Sequence, residues 1–264
     1  ASASISLNNR AFKYGDAVFE TIKVKNKKVF FVEDHYFRLM ASTRMLRMQI
    51  SMDFTLEYFE SEILQLITAL GLDNARVRFS VFRREGGLYS PVSNETDFLI
   101  EAGELKEDIK DIYEVELYKE HYVYSGLLST IKSNNKVLNV IASVFMTENG
   151  YDNCLLLNEK KQLVEAINGN LFLVKGMTIL TPALTEGCIK GVIRKKLIEI
   201  LKKDNDFNIQ ETEISPFELQ KADEVFITNA IVGIQPITKY RRKIYTTAVS
   251  EKLRKKLNAL ALLG

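Results

Sequence analysis

The sequence predicts a mixed α and β protein of two domains. Three observations carry that expectation. Strand-like alternation and amphipathic helical stretches both occur in each half of the chain. A charged run, Glu104–Asp111, separates a first part with two strong helical patterns from a second, strand-richer part. The length of 264 residues is enough for two modest cores. The boundary falls near residue 107, giving a small α+β domain over 1–107 and a larger β-rich domain over 108–264.

In chain order, Phe19 and Thr21 on one side and Val29–Val32 on the other flank the polar turn Lys25–Lys28, which predicts a hairpin. Gly15 just before it permits a close turn. Glu33 and Asp34 suit the first turn of a helix, where carboxylates complement the dipole. Phe37, Met40, Ala41, Met45 and Met48 are its expected apolar stripe, and Arg38 falls off that stripe. Leu56, Phe59, Ile63, Leu66, Ile67 and Leu70 recur at helical spacing and are closed by Gly71. Ala75–Phe82 alternates, with Val77, Phe79 and Val81 on one face and Arg76, Arg78 and Ser80 on the other. Glu85–Gly87 reads as a turn and Phe98–Ile100 as a short strand.

Beyond the charged run, Val115 and Leu117 alternate with charged neighbours. Lys132 follows, among small polar residues, just ahead of a helical pattern formed by Val137, Val140, Ile141 and Val144. A lysine on such a shoulder can be partly buried, which frees its amine for imine chemistry with an aldehyde. Asn153–Asn158 is a strand and Glu159–Lys161 a turn. Leu163, Glu165 and Ile167 then share one strand face. A carboxylate on an apolar face needs a partner. Leu171–Val174 and Thr178–Leu180 extend the sheet. Gly187–Arg194 opens a helix carrying Ile193, Leu197, Ile200 and Leu201, and a helix start favours a phosphate. Glu224–Ala230 is a strand ending in small and polar residues, and Val249, Leu253, Leu257 and Leu260 mark a last helix.

Composition narrows the chemistry. Apolar residues make up 46% of the chain and charged residues 27%, with a net charge of +2. That balance, without a long basic stripe, argues against nucleic acid as a partner. No apolar run approaches a membrane helix, and no signal-peptide pattern opens the sequence. Cys154 and Cys188 are too few and too scattered for a disulfide framework or a zinc site, so no metal and a reducing cytoplasm are expected. The two histidines, His35 and His121, lie near no nucleophile motif, and no Walker or Rossmann glycine loop occurs. A bound organic cofactor is the expected source of any chemistry.

Six motifs in order then resemble one family: Tyr14-Gly-Asp-Ala-Val-Phe-Glu-Thr21, His35-Tyr-Phe-Arg-Leu39, Thr130-Ile-Lys-Ser133, Leu163-Val-Glu-Ala-Ile-Asn-Gly-Asn-Leu-Phe172, Gly191-Val-Ile-Arg194 and Ala222-Asp-Glu-Val-Phe-Ile-Thr228. Together, from about Asn9 to about Pro236, they resemble the class IV aminotransferases, which use pyridoxal 5′-phosphate (PLP) in fold type IV. The family includes branched-chain and D-amino-acid aminotransferases and 4-amino-4-deoxychorismate lyase. The resemblance implies that Lys132 is the imine lysine and proton carrier, that Glu165 pairs with the pyridine nitrogen, and that Arg38 binds the phosphate. It also implies that the backbone amides of Val192 and Ile193 meet that phosphate, that Ile189 lies beneath the ring, and that Asn229 and Ala230 complete the cofactor site. Tyr14, Thr21, Arg83, Arg84 and Tyr89 are its candidates for the substrate side.

Some positions depart from the transaminase pattern. Lys136-Val137 stands where transaminases have Asn-Tyr, Asn229-Ala230 replaces Gly-Thr, and Ile193 replaces a threonine. The absent tyrosine and the Asn229–Val232 pattern resemble the lyase branch. That branch has an arginine after its glycine pair, where this chain has Leu88, so the carboxylate-binding role is unfilled or falls to Arg83 or Arg84. The resemblance implies an amino-bearing carboxylate as substrate and a homodimer whose 83–90 loop reaches toward the other subunit's site. Three readings stand: the lyase first, a branched-chain or D-amino-acid transaminase second, and a catalytically retired PLP-binding dimer third.

Overall fold

The computed structural model describes residues 4–263, the side chains of 262 and 263 excepted. The chain forms two compact units. One runs through Lys106 and takes back Ile131–Asn135; the other comprises Glu107–Thr130 and the chain from Lys136 onward. Among the described residues, no helix is long and apolar enough to cross a membrane.

The first unit opens with a short helix, α1 (Arg10–Tyr14), which the sequence pattern did not reveal. Asn9 caps it by accepting from the Phe12 amide, and Gly15 ends it at φ +65°. Strand β1 (Ala17–Lys25) turns back into the two-residue β2 (Lys28–Val29) through Asn26 and Lys27, both at positive φ, as a tight hairpin requires. Helices α2 (Val32–Met45) and α3 (Leu56–Ala69) follow, then β3 (Ala75–Arg83) and β4 (Thr96–Glu104). The four strands form one sheet in the order β2-β1-β3-β4. Its core joins Val18, Ile22 and Val24 of β1 and Val77, Phe79 and Val81 of β3 to Leu39, Phe59, Ile63 and Ile67 of the helices.

Helix α2 corrects the expected stripe. Phe37 and Met45 are exposed, whereas His35, Leu39, Ser42 and Thr43 are buried. The buried face therefore includes polar residues that hydrogen bonds satisfy, a pattern that hydropathy alone reads the wrong way round. Its register places Arg38 beside the sheet instead of in water.

The second unit holds a ten-stranded sheet. Strand β5 (Glu114–Val123) leads through a 3-10 turn at Leu127–Thr130 to helix α4 (Val137–Glu148). Strands β6 (Asn153–Asn158), β7 (Leu163–Ala166), β8 (Gly169–Lys175) and β9 (Thr178–Pro182) run consecutively antiparallel. Helix α5 (Val192–Lys202) precedes β10 (Asn208–Thr212), a single turn α6 (Glu218–Lys221), β11 (Glu224–Asn229) and β12 (Gly233–Ile237). The short pair β13 (Lys239–Tyr240) and β14 (Lys243–Ile244) and the helix α7 (Ala248–Leu263) end it. Strand β6 divides two apolar layers: Leu155 and Leu157 face a core with Leu163, Leu171 and Val225, while Cys154 and Leu156 face Tyr118 and Ala142 under α4. In α4 the valines expected as a stripe, Val137, Val140 and Val144, are exposed, and Leu138, Ile141 and Phe145 pack inward.

The strand carrying Glu165 differs from simple alternation. Leu156 pairs with Glu165 but Leu157 pairs with Leu163, so one extra residue, Val164, is accommodated in β7. This bulge turns Leu163 to the face opposite Glu165. Leu163 joins the first core, and Ile167 packs with the second beside Leu156.

Gly15 matters for the segment that carries Lys132. A Cβ built on it would stand 2.2 Å from Asn135 Oδ1, and its φ of +65° is one that L side chains rarely adopt. Gly15→Ala should therefore destabilise the fold by roughly 1–3 kcal/mol, read as a lower midpoint in denaturant. An unchanged midpoint would show that neither the turn nor Asn135 constrains this position.

Candidate functional site

In the first unit, Ile131–Asn135 lies along the edge of β1. The Phe19 amide donates to the Lys132 carbonyl at 2.8 Å, the Asn134 amide donates to the Ala17 carbonyl at 3.0 Å, and Val18 pairs with Ser133. Lys132 thereby comes level with Phe19, and its Nζ sits 4.6 Å from the centre of that ring. The Arg78 guanidinium stacks on the same ring at 3.6 Å and donates from Nη2 to Asn134 Oδ1 at 3.0 Å and from Nε to Ser80 Oγ at 3.3 Å. An amine and a guanidinium thus share one aromatic platform, the guanidinium being held flat by two side-chain acceptors. Sequence reasoning assigned Arg78 only to the polar face of its strand. Thr21 lies opposite Arg78 in the β1–β3 register.

The other face of β1 carries a buried charge cluster. Glu20 shares its side of the strand with Val18, Ile22 and Val24 and is 1% exposed. Arg38 donates from Nε to Glu20 Oε1 at 2.8 Å and from Nη2 to Oε2, a two-point pairing that fixes the plane of the guanidinium. His35 Nδ1 lies 2.6 Å from Oε2. Burial pushes the Glu20 carboxyl up, but the Arg38 charge and the hydrogen bonds from His35 and Arg38 outweigh it and leave its pKa at about 2. Burial pushes His35 below its usual range against the pull of Glu20, so the ring is neutral near pH 7, with Nδ1–H as donor.

In the second unit, Glu165 is 7% exposed at the middle of β7 and does not bend back to water. Its Oε2 accepts from the Ile189 amide at 2.9 Å and from Asn170 Nδ2 at 3.4 Å. Asn170 also donates to the Ile189 carbonyl at 2.8 Å, so it ties the Glu165 strand to the loop before α5. Gly191 is the N-cap of α5, and no side chain caps that helix. A Cβ on Gly191 would stand 2.0 Å from Asn170 Oδ1, so a side chain there would displace Asn170. Helix geometry leaves the first-turn amides, those of Val192 and Ile193 among them, without intrahelical partners, while both side chains are buried. The Asn229 side-chain oxygen accepts from the Ile231 and Val232 amides at 3.0 Å and so shapes the turn that contains Ala230. Lys136, at the N-cap of α4, is largely withdrawn from water. Burial pushes its amine down, opposed by the charge of Glu165.

The substrate-side candidates divide. Arg83 is buried, and all three of its guanidinium nitrogens are engaged: Nε with Asp16 at 2.9 Å, Nη2 with the Leu46 carbonyl at 2.7 Å, and Nη1 with Asn94 and the Arg47 carbonyl. Its donors serve the unit's own frame. Arg84 pairs with Glu95 and with Asp97 at 3.0 Å on the surface. Tyr89 is 89% exposed, with its ring 5.6 Å from that of Tyr14.

The family model for class IV aminotransferases matches residues 17–240. The chain is 25% identical, over 291 aligned positions covering 96% of it and 90% of the relative, to a probable branched-chain-amino-acid aminotransferase of Aquifex aeolicus. It is 26% identical over 242 positions, 89% of this chain and 86% of the other, to the aminodeoxychorismate lyase of Vibrio harveyi. A putative 4-amino-4-deoxychorismate lyase from Legionella pneumophila superposes with a TM-score of 0.89 at 22% identity, covering 98% and 96% of the two chains, a likeness that speaks to the fold. The chain belongs to the class IV aminotransferases, enzymes of fold type IV that use pyridoxal 5′-phosphate.

Proposed function

We propose that this enzyme acts on an amino-bearing carboxylate and that its reaction is elimination of pyruvate from 4-amino-4-deoxychorismate, leaving 4-aminobenzoate. The observation that carries the reading is the Phe19 platform, against which both the Lys132 amine and the Arg78 guanidinium lie. One suits an aldehyde and a mobile proton; the other suits a carboxylate. In this reading Arg78, which also bonds Asn134 and Ser80 and stands 3.8 Å from Glu101, takes the carboxylate role that the sequence left unfilled.

The side chains fit the family's cofactor. Helix α5 starts at Gly191 with no side-chain cap on its amides, which leaves them to an anion. In this reading those amides, at Val192 and Ile193, hold the phosphate with Arg38, which Glu20 and His35 orient. Glu165 would pair with the ring nitrogen, its carboxylate kept in place by the Ile189 amide and Asn170. Ile189 would supply apolar contact to the ring, and Asn229 and Ala230 would complete the cofactor site. When bound, pyridoxal phosphate supplies the electron sink for bond breaking next to the substrate nitrogen. Lys132 Nζ accepts the proton that the substrate ring loses as pyruvate departs, and it returns protons at the end of the cycle.

The lyase is favoured over amino transfer by Val137, whose side chain is 74% exposed where a transaminase tyrosine would stand, and by the Asn229–Val232 turn. Amino transfer is the second reading, favoured by the branched-chain and D-alanine aminotransferases among the relatives. The working unit in either case is taken as a two-fold homodimer.

The purified protein should release pyruvate from aminodeoxychorismate faster than it transfers an amino group from any of a panel of L- and D-amino acids. The reverse ranking would move the assignment to a transaminase, and no turnover on either would favour a retired binding protein. Borohydride reduction followed by peptide mapping should place the cofactor on Lys132. The half-buried Lys136 is the rival amine, and a cofactor mass on its peptide would overturn the role of Lys132.

The Glu20 cluster sets the response to acid. The unfolded chain takes up a proton at His35 near pH 6.5 that the folded state resists, so stability is lost as pH falls below 6.5. Glu20 adds a further loss below 4.5, toward about 2, as its carboxylate is protonated. His35→Gln keeps a donor to Glu20 without the titration. Its unfolding temperature should fall less than the parent's through the first range and similarly through the second. Identical pH profiles would remove His35 from this account.

A further inference from the structure

Arg10 has no assigned role, yet it is 3% exposed and among the most heavily engaged polar side chains of the first unit. Its Nη1 donates to the carbonyls of Gly86 at 3.0 Å, Leu88 at 2.6 Å and, more distantly, Gly87 at 3.5 Å, and its Nη2 reaches the Tyr89 carbonyl at 3.4 Å. Its Nε donates to Asp16 Oδ2 at 2.9 Å, the same oxygen that accepts from Arg83 Nε at 2.9 Å. Four successive carbonyls therefore converge on one guanidinium. In an extended chain successive carbonyls point alternately to opposite sides, so convergence requires an inverted backbone. Gly86 at φ +112° and Gly87 at φ +74° provide it, and a Cβ on Gly87 would stand 2.0 Å from the Ser90 carbonyl oxygen. Only arginine carries enough donors in a fixed fork to satisfy such a cluster.

The position of Arg10 is itself fixed. It is the first residue of α1, whose N-cap Asn9 and C-cap Gly15 set the helix beside β1. Through Asp16 it is coupled to Arg83, which holds the end of α2 by the Leu46 and Arg47 carbonyls and holds Asn94 on the far side of the loop. The loop thus lacks the character of a free hairpin tip. Its backbone is set from inside by one buried cation, while the side chains of Leu88 and Tyr89 point outward and are 76% and 89% exposed.

We infer that Arg10 is the positioning residue of the Gly86–Tyr89 loop, holding its carbonyls inward so that Leu88 and Tyr89 are presented in one conformation as a contact surface for the substrate. This rests on the proposed reading that the 83–90 loop belongs to the substrate side of the enzyme. Arg10 touches neither substrate nor cofactor. It acts through the loop, and the loss of its fork loosens recognition without weakening cofactor binding.

Arg10→Lys tests this in the cofactor-loaded enzyme. Lysine keeps the charge beside Asp16 but cannot satisfy four carbonyls. Cleavage by chymotrypsin after Tyr89 should quicken, KM for the amino-carboxylate substrate should rise roughly tenfold to a hundredfold, and kcat and the affinity for pyridoxal phosphate should stay near the parent's values. Arg10→Met, which leaves Asp16 paired with Arg83, should show the same pattern if the variant with lysine is poorly folded. Unchanged cleavage would overturn the clamp, and quicker cleavage with unchanged KM would overturn the positioning role. A parent without cofactor-dependent turnover would overturn the functional reading and this inference together, whereas a working parent with an indifferent Arg10→Lys overturns the inference alone.

Discussion

The arrangement of the first unit depends on a short piece of backbone pairing. Ile131–Asn135 comes from the middle of the chain, yet it docks on β1 through the Phe19-to-Lys132 and Asn134-to-Ala17 hydrogen bonds. Because side chains alternate along a strand, this register determines which face each residue serves. Lys132 joins Phe19 and Arg78, while Ile131 enters the core with Val18 and Ile22. A shift by one residue would send the lysine into the apolar core and Ile131 out of it. Gly15 guards the register from the other side, since Asn135 occupies the space where a side chain would be.

Two buried carboxylates illustrate different ways of keeping a charge away from water. Glu20 is surrounded by opposite charge and a neutral imidazole donor, and the balance leaves it ionised down to strong acid. Removing one partner from such a set strands the other, which is commonly worth about 3–5 kcal/mol. Glu165 relies instead on an amide and an asparagine from its own unit. The bulge at Val164 makes this possible, because it separates Glu165 from the face that Leu163 packs into the main core. A carboxylate on that main-core face would have only apolar neighbours.

Polar groups elsewhere in the first unit are closed in the same economical way. Asp16 serves two arginines with one oxygen, and those arginines satisfy carbonyls in the loop, at the end of α2 and in Arg47. Arginines that look from the sequence like a ligand-binding pair are thus divided between a frame residue, Arg83, and a surface residue, Arg84. The cation that shares the Phe19 ring with Lys132 is Arg78, which comes from a strand that looked merely amphipathic.

The sequence by itself determined the class of the protein. Period-two alternation located β3, period-3.6 patterns located α3 and α5, and six ordered motifs identified the family and its cofactor. These signals are local, because a strand or an amphipathic helix leaves its period in neighbouring residues. Tertiary structure alone decided which faces are buried. The stripe of α2 runs through His35 and Ser42 instead of Phe37 and Met45, since hydrogen bonds to Glu20 and to the helix backbone make polar burial favourable. It also decided that α1 exists as a short turn of helix, that Leu163 and Glu165 part company at a bulge, and that Arg10 and Arg78 stand at the loop and at the lysine. Each of those outcomes depends on which strand pairs with which and in what register. That is a relation between residues far apart in sequence, and no local pattern records it.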